Sequence, residues 1–400
     1  KFQNPDEGIF NDSPNGIKEK GIEHGTFKLA WFWWELLYGN IFKRSLMKKV
    51  YINSIASISP QKTYDNGNFL DENTEYNDTV IFVQDPDYKQ YIAPAAARRM
   101  AKGIKMGVVA SKIAMDEAGI ETVDAIITGT GMGCMIDSEK FVSAIIDNNE
   151  QYLTPTSFIQ STHNTVAGQI ALGMECKAYN FTYVHSAISF ESALLDAKMQ
   201  LENNEAEHIL VGGVEELGAH TTKVHRLINH IKPEPVSISE VLHSKTEGAV
   251  FSEGANFFVV SNEKTKSCYA ELVAVETFNT LQKEKVSEVI ETFLKDNNLK
   301  ISDIDVVVFG NNGDVDFDVF YNQLSEGTFN KTQQVFYKHL VGENNTVSAF
   351  EVWLASKMLK TQTVPKIVKL NNINPSEIKT VLCYNQYRGQ NHSLVLLKKC

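Results

Sequence analysis

The strongest constraint on this chain is a unit that occurs twice. In KMGVVASKIAMDEAGIETVDAIITGTGMG, from Lys105, the residues Met106, Val109, Ile113 and Ala114 share one face of a predicted helix. A turn then leads into the apolar strand Ala125, Ile126, Ile127 and a glycine loop. VSEVIETFLKDNNLKISDIDVVVFGNNGD, from Val286, repeats that grammar: a helix with Val286, Val289, Ile290 and Phe293, an Asp-containing turn, a strand Val306, Val307, Val308, then Gly310-Asn311-Asn312-Gly313. A strand that is apolar at consecutive positions must be buried on both faces, and the helix before it supplies one of the covering layers. The expected fold is α/β and layered, with a mixed or parallel sheet and two similar halves. Two copies are too few for a solenoid.

Composition narrows the function classes. The 400 residues suffice for one large domain or two ordinary ones, and 43% hydrophobic with 22% charged residues excludes disorder and collagen-like architecture. The net charge of −11 offers no broad cationic field, so neither nucleic acid nor an anionic membrane is an expected main partner. Five scattered cysteines, odd in number and without CxxC spacing, argue against a disulfide framework and a zinc site and suit a reducing cytoplasm. His220, His225, His230 and His243 form no HExxH pattern and are expected to be polar loop and interface residues. No metal or cofactor is expected.

The first organisational break comes at Met47. Residues 1–46 are polar and rich in Gly, Asn and Asp at first, then hold Trp31, Trp33 and Trp34 followed by Lys43 and Arg44. The apolar run Ala30 to Phe42 contains Glu35 and is short of the roughly 20 residues that span a bilayer, so no membrane span is expected. MKKVYINSIASISP then has the character of a start, a basic opening before the β-branched run Val50, Ile52, Ile55. The expectation is an appended leader at 1–46; clustered Trp beside cations alternatively suits a docking or membrane-surface helix.

Beyond Met47, five strings stand in a telling order: TGTGMG from Thr128, YNFTYVHSAISFESALLDA from Tyr179 leading to HILVGGVEE, SEGA at Ser252, YKHLVGE from Tyr337, and NQYRGQNHSLVL from Asn385. This order resembles that of β-ketoacyl synthases, over nearly everything after Met47. The resemblance implies a thiolase-like five-layer αβαβα sandwich of two pseudo-duplicated halves, here 47–265 and 266–400. It also implies an acyl carrier protein as partner.

The family's chemistry rests on a cysteine at the start of a buried helix, where the dipole favours thiolate, and two histidines that stabilise an enolate. Counting back from Gly212-Gly213, the cysteine position falls on Ser186, or on Ala187 with the gap placed elsewhere, and no cysteine lies between Cys176 and Cys268. The first histidine corresponds to Asn312 and the second to Glu343, while the family's lysine is retained as Lys338. A serine hydroxyl needs a base that a helix dipole, worth about 1 kcal/mol, cannot replace. Glu343 when ionised is acceptor-only and opposes both an enolate and a malonyl carboxylate. Decarboxylative condensation is disfavoured at all three positions.

A member without its catalysts resembles the chain-length factors, silent partners of active ketosynthases in fatty acid, polyketide or polyene pathways. That role implies a heterodimer with a catalytic ketosynthase subunit. Tyr387 stands at the family's gating phenylalanine, with Gln386 and Arg388 replacing loop glycines, so a fixed loop is expected. Phe190, with Phe181, Tyr183 and Ile188, lines a tunnel or fills the core. Arg98, Arg99 and Lys102, close to Lys105, match a carrier-docking cluster or form an ordinary solvated helix face. Two other readings remain: an acyltransferase or hydrolase using Ser186 with His185, although neighbours in a strand or turn point apart, and a structural homodimer without acyl chemistry.

Overall fold

The computed structural model describes residues 48–67 and 69–400, so the tryptophan-rich leader and the start at Met47 lie outside it. Strand β1 (Val50–Ile58) is buried along almost its whole length. Nine more strands join it in one ten-stranded sheet. They are β2 (Ala125–Gly129), β3 (Tyr179–Tyr183), β4 (His208–Glu215), β5 (Gly254–Ser261), β6 (Ala270–Asn279), β7 (Val306–Phe309), β8 (Gln333–Phe336), β9 (Thr380–Tyr387) and β10 (Asn391–Lys398). The spatial order is β8-β7-β9-β10-β6-β1-β5-β4-β2-β3.

This order contains the duplication. Outward from the antiparallel β6/β1 pair, each side presents its own first, fifth, fourth, second and third strand. The pairings match as well. Both fifth strands run antiparallel to their first and fourth strands, and both second strands run parallel to their third and fourth.

Five principal helices complete the layers: α1 (Lys102–Ala118), α2 (Thr165–Gly173), α3 (Ser189–Glu202), α4 (Val286–Asp296) and α5 (Ser348–Thr361). Consecutive strand residues go to different cores. Ile127 and Val308 face a central cluster with Leu194 of α3 and Phe350, Trp353 and Leu354 of α5. Ile126 packs outward under Val109 of α1 and Ile170 of α2. Val307 does the same under Ile290 and Phe293 of α4. The layers therefore run helix, sheet, helix, sheet, helix, as expected. Each fully buried Val, Leu or Phe contributes about 1.5–3 kcal/mol, which is why both faces of these strands are apolar. Helix α1 stops at Gly119, whose φ of 68° closes it in the left-handed conformation that glycine adopts without strain.

One expectation needs correction. Cys268 and Cys400 form a disulfide, leaving Cys134, Cys176 and Cys383 unpaired. Spacing in the sequence gives no sign of this because the contact is made by topology: β6 and β10 are antiparallel neighbours, Glu271 opposite Lys398, so the start of one meets the end of the other. No helix among the described residues is long and apolar enough to cross a membrane.

Candidate functional site

The loops after β7 and β8 bring three of the expected positions together. Gly342, with φ 69°, turns the chain sharply; a Cβ there would lie 2.6 Å from Ser252 Cβ, so only glycine fits. Glu343 is thereby pinned by its backbone, its N–H donating to Val250 O at 2.7 Å and its carbonyl accepting from Ser252 N at 2.9 Å. Its carboxylate Oε2 accepts from Asn312 Nδ2 at 2.6 Å and from Lys338 Nζ at 2.8 Å. All three residues are buried. Asn312 is fixed from its other side, where its Oδ1 accepts from Asp314 N at 3.0 Å. The Asp318 carboxylate accepts from the backbone N–H groups of Asn312 and Gly313, and burial pushes Asp318 up to about 6.

The chemical consequence is direct. The amide and ammonium donors that could stabilise a developing oxyanion are turned onto a carboxylate of this chain. Asn312 directs an amide N–H to Glu343. Two further carboxylates close to Lys338, Glu191 and Glu351, are also buried, and desolvation raises both above the usual carboxylate range. Glu191 accepts from Ser393 Oγ at 2.6 Å. Neither was singled out from the sequence; the available signal is an acid inside each of two otherwise apolar helical runs.

Ser186 lies elsewhere in this arrangement. It forms the corner between β3 and α3, exposed and left-handed at φ 50°, while Ala187 beside it is buried. Ser189 Oγ holds the corner, accepting from His185 N at 2.8 Å and donating to Ser186 O at 2.6 Å. The corner keeps the strained strand-to-helix geometry that presents a nucleophile in other α/β folds. The base is absent from it: His185 Nδ1 lies 3.4 Å from Ser192 Oγ, so the ring faces the next turn of α3. The His185/Ser186 dyad is not assembled.

Next to Glu343 is a cavity of about 40 Å³, room for a few water molecules and not for an acyl chain. Its wall includes Glu215, Glu216, Phe251 and Tyr387, but not Ser186, Asn312 or Lys338. Burial raises Glu215 to about 8 and Glu216 to about 7. Glu216 accepts from Gly103 N at 2.5 Å and Ile136 N at 2.8 Å, which ties it to the first turns of α1 and of the helix Met135–Asp147.

Tyr387, at the end of β9, points its hydroxyl to His230 Nδ1 at 3.4 Å. The turn after it is fastened, as the replaced glycines suggested. Gln386 Oε1 accepts from Gly389 N at 2.8 Å, and Arg388, left-handed at φ 50°, pairs with Asp314 at 3.3 Å and lies over the Phe317 ring. Phe190 fills the core: it has no exposed surface and packs against Phe258.

The proposed docking cations divide. Arg98 and Arg99 are exposed. Lys102 is not a free surface charge: its ammonium pairs with buried Glu253 and sits 5.3 Å from the centre of the Phe82 ring. The spacing placed it with the arginines, but at the start of α1 it turns inward to neutralise Glu253 of the SEGA string. His225 and His230 face each other, Nδ1 to Nδ1 at 3.2 Å.

A family model described as Beta-ketoacyl synthase, N-terminal domain, matches residues 42–266. The 3-oxoacyl-[acyl-carrier-protein] synthase 2 of Vibrio harveyi is 24% identical over 206 residues, 48% of this chain and 50% of that protein. The protein of the same name from Vibrio cholerae is 22% identical over 223 residues, 50% of this chain and 54% of its own length. The chain thus spans about half the length of the curated relatives it matches. Among solved structures, the ishigamide ketosynthase/chain length factor superposes with a TM-score of 0.73 at 15% identity, over 88% of this chain and 100% of that one. A β-ketoacyl synthase from Burkholderia phymatum gives 0.74 at 17%, over 88% and 100%. The ketosynthase ApeO in complex with its chain length factor ApeC, from Xenorhabdus doucetiae, gives 0.71 at 13%, over 88% and 98%. At these identities the structural likeness speaks for the fold alone.

Proposed function

Because the chain belongs to the β-ketoacyl synthase family, we propose that it is a non-condensing, chain-length-factor-like partner of a catalytically complete ketosynthase. Its pathway in this reading is acyl-carrier-dependent fatty acid, polyketide or polyene synthesis, and its place of action is the cytoplasm. The observation that carries the reading is the buried set Asn312, Lys338 and Glu343, in which the amide and the ammonium are both turned onto one carboxylate oxygen beside a cavity of about 40 Å³. A condensing site needs the opposite: open donors and room for an acyl group.

A partner is supported by the sheet edge. Strand β3 ends the sheet, with Tyr179 and Phe181 each 45% exposed, and Phe158, Ile159 and Leu172 are exposed apolar residues in the flanking helices. Unpaired backbone beside exposed apolar side chains calls for a covering surface. Two of the similar structures are themselves of a ketosynthase with its chain length factor. Arg98 and Arg99 are the proposed contact for an acidic carrier.

The test is co-expression with a ketosynthase that carries the intact Cys, His and His. A stable 1:1 complex supports the reading, and a homodimer that ignores the ketosynthase favours the structural alternative. The acyltransferase alternative, whose His185/Ser186 dyad is not assembled, predicts burst acylation by an acyl thioester that is lost in Ser186→Ala.

A further inference from the structure

Two imidazoles and a phenol converge at one point of the structure. His225 stands in the last turn of the helix Ala219–Leu227, and His230 follows that helix. The chain doubles back between them: Asn229 is left-handed at φ 56°, and His230 N donates to His225 O at 2.9 Å. A five-residue spacing is no metal signature in sequence, but this turn brings the two rings together with centres 5.2 Å apart. Their Nδ1 atoms are 3.2 Å from each other, and Tyr387 Oη lies 3.4 Å from His230 Nδ1.

Hydrogen bonding alone serves these three atoms poorly. His230 Nδ1 carries either one lone pair or one N–H, yet it faces two partners, and both separations are at or beyond the long end of the hydrogen-bond range. They match the edges of a tetrahedron instead. Donors held about 2.0–2.1 Å from a tetrahedral zinc ion stand about 3.3 Å from one another, and imidazole nitrogen is among the ligands that zinc favours.

The surroundings suit a cation. His225 and Tyr387 line the cavity of about 40 Å³, which has room for a water at a fourth position, and Glu215, Glu216 and Glu343 stand in the same wall. The C-terminal end of the helix Ala219–Leu227 adds partial negative charge. Arg388, the neighbouring cation on the Tyr387 turn, is paired with Asp314 at 3.3 Å, which offsets its repulsion of an incoming ion. Among the described residues no three His, Cys, Asp or Glu side chains form a metal-binding group, so the third donor is the phenol.

We propose that His225 Nδ1, His230 Nδ1 and Tyr387 Oη bind a divalent transition metal, zinc by this geometry, with a cavity water as the fourth ligand. Each ring then carries its proton on Nε2, and the Tyr387 proton passes to solvent as the phenolate oxygen becomes a ligand. The bound ion fastens the turn after β9 to the helix Ala219–Leu227. It holds Tyr387 in place from a side that the Arg388–Asp314 pair does not reach.

The experiment is calorimetric titration of the full chain, stripped with a chelator, with zinc chloride, and absorption spectroscopy of the same chain with cobalt(II). One zinc per chain is expected to bind, with a proton released that makes the heat depend on the buffer, and cobalt should give the intense visible bands of a tetrahedral ion. H225A/H230A is expected to weaken zinc about a hundredfold, and Y387F about tenfold with the proton release lost. H220A/H243A, which removes two exposed histidines, should bind as the wild type does. A readout that needs no variant is the melting temperature of the wild type, which one equivalent of zinc should raise. Absence of saturable 1:1 binding to the wild type, equal binding by H225A/H230A, loss of binding in H220A/H243A, or an octahedral cobalt spectrum overturns the site. The assay uses this chain without a ketosynthase, so its failure leaves the silent-partner reading standing, and the failure of that reading leaves this site standing.

Discussion

Lys338 Nζ lies 2.8 Å from Glu343 Oε2, with side-chain exposures of 0% and 2%, and the two stand five residues apart around the Gly342 turn. A buried pair of this kind gains little over an apolar replacement, but losing one partner strands the other charge. Glu343→Gln or Glu343→Ala is therefore expected to destabilise the fold by about 3–5 kcal/mol. The double variant Lys338→Met/Glu343→Leu should regain most of that loss. Chemical denaturation of the three proteins checks the pattern, and additive losses in the double variant would contradict it.

Glu215 and Glu216 set a pH dependence. Burial raises them to about 8 and about 7 from the ordinary 4.5, so between these limits the folded chain holds protons that the unfolded chain has released. Their contribution is fully present below about pH 4.5 and is lost as pH rises through about 7 to 8. Stability of the wild type should fall across that window, and Glu215→Gln should flatten the slope. Denaturation midpoints at pH 5, 6, 7 and 8 measure it.

The basic cluster gives a separation of effects. Lys102→Ala leaves Glu253 buried without its cation and should lower the melting temperature by several degrees. Arg98→Ala/Arg99→Ala should leave stability unchanged while weakening carrier binding several-fold and reducing its salt dependence. Thermal unfolding together with carrier titration at two ionic strengths distinguishes the two behaviours.

The duplicated fold was legible in the sequence because burial on both faces writes continuous apolar strands, as in Ile126-Ile127 and Val307-Val308, and glycine loops mark their ends. Ser186, Asn312, Lys338 and Glu343 could be found by position, but their pairing could not. That Asn312 and Lys338 both turn to one oxygen of Glu343 depends on the loops after β7 and β8 meeting in space. Lys102, Glu191 and the Cys268–Cys400 bond were hidden for the same reason: each takes its meaning from a residue more than a hundred positions away.

The corner at Ser186 offers a test of conformation free of chemistry. A left-handed φ of 50° on a non-glycine residue costs on the order of 1 kcal/mol. Ser186→Gly is expected to hold or raise stability, and Ser186→Val to lower it. Ser186→Cys alone should not create condensing activity, because Asn312 directs its amide to Glu343 and an ionised Glu343 has no donor to offer.

The central claim is that this chain does not condense acyl groups but assists a subunit that does. The direct measurement is carrier-bound product formed from malonyl-carrier and a primed acyl group by the chain alone, by a cysteine-bearing ketosynthase alone, and by the two together. The account predicts no product from the chain alone, and product whose yield or length changes when the two are combined. Condensation by the chain alone, or a ketosynthase wholly indifferent to its presence, would contradict it.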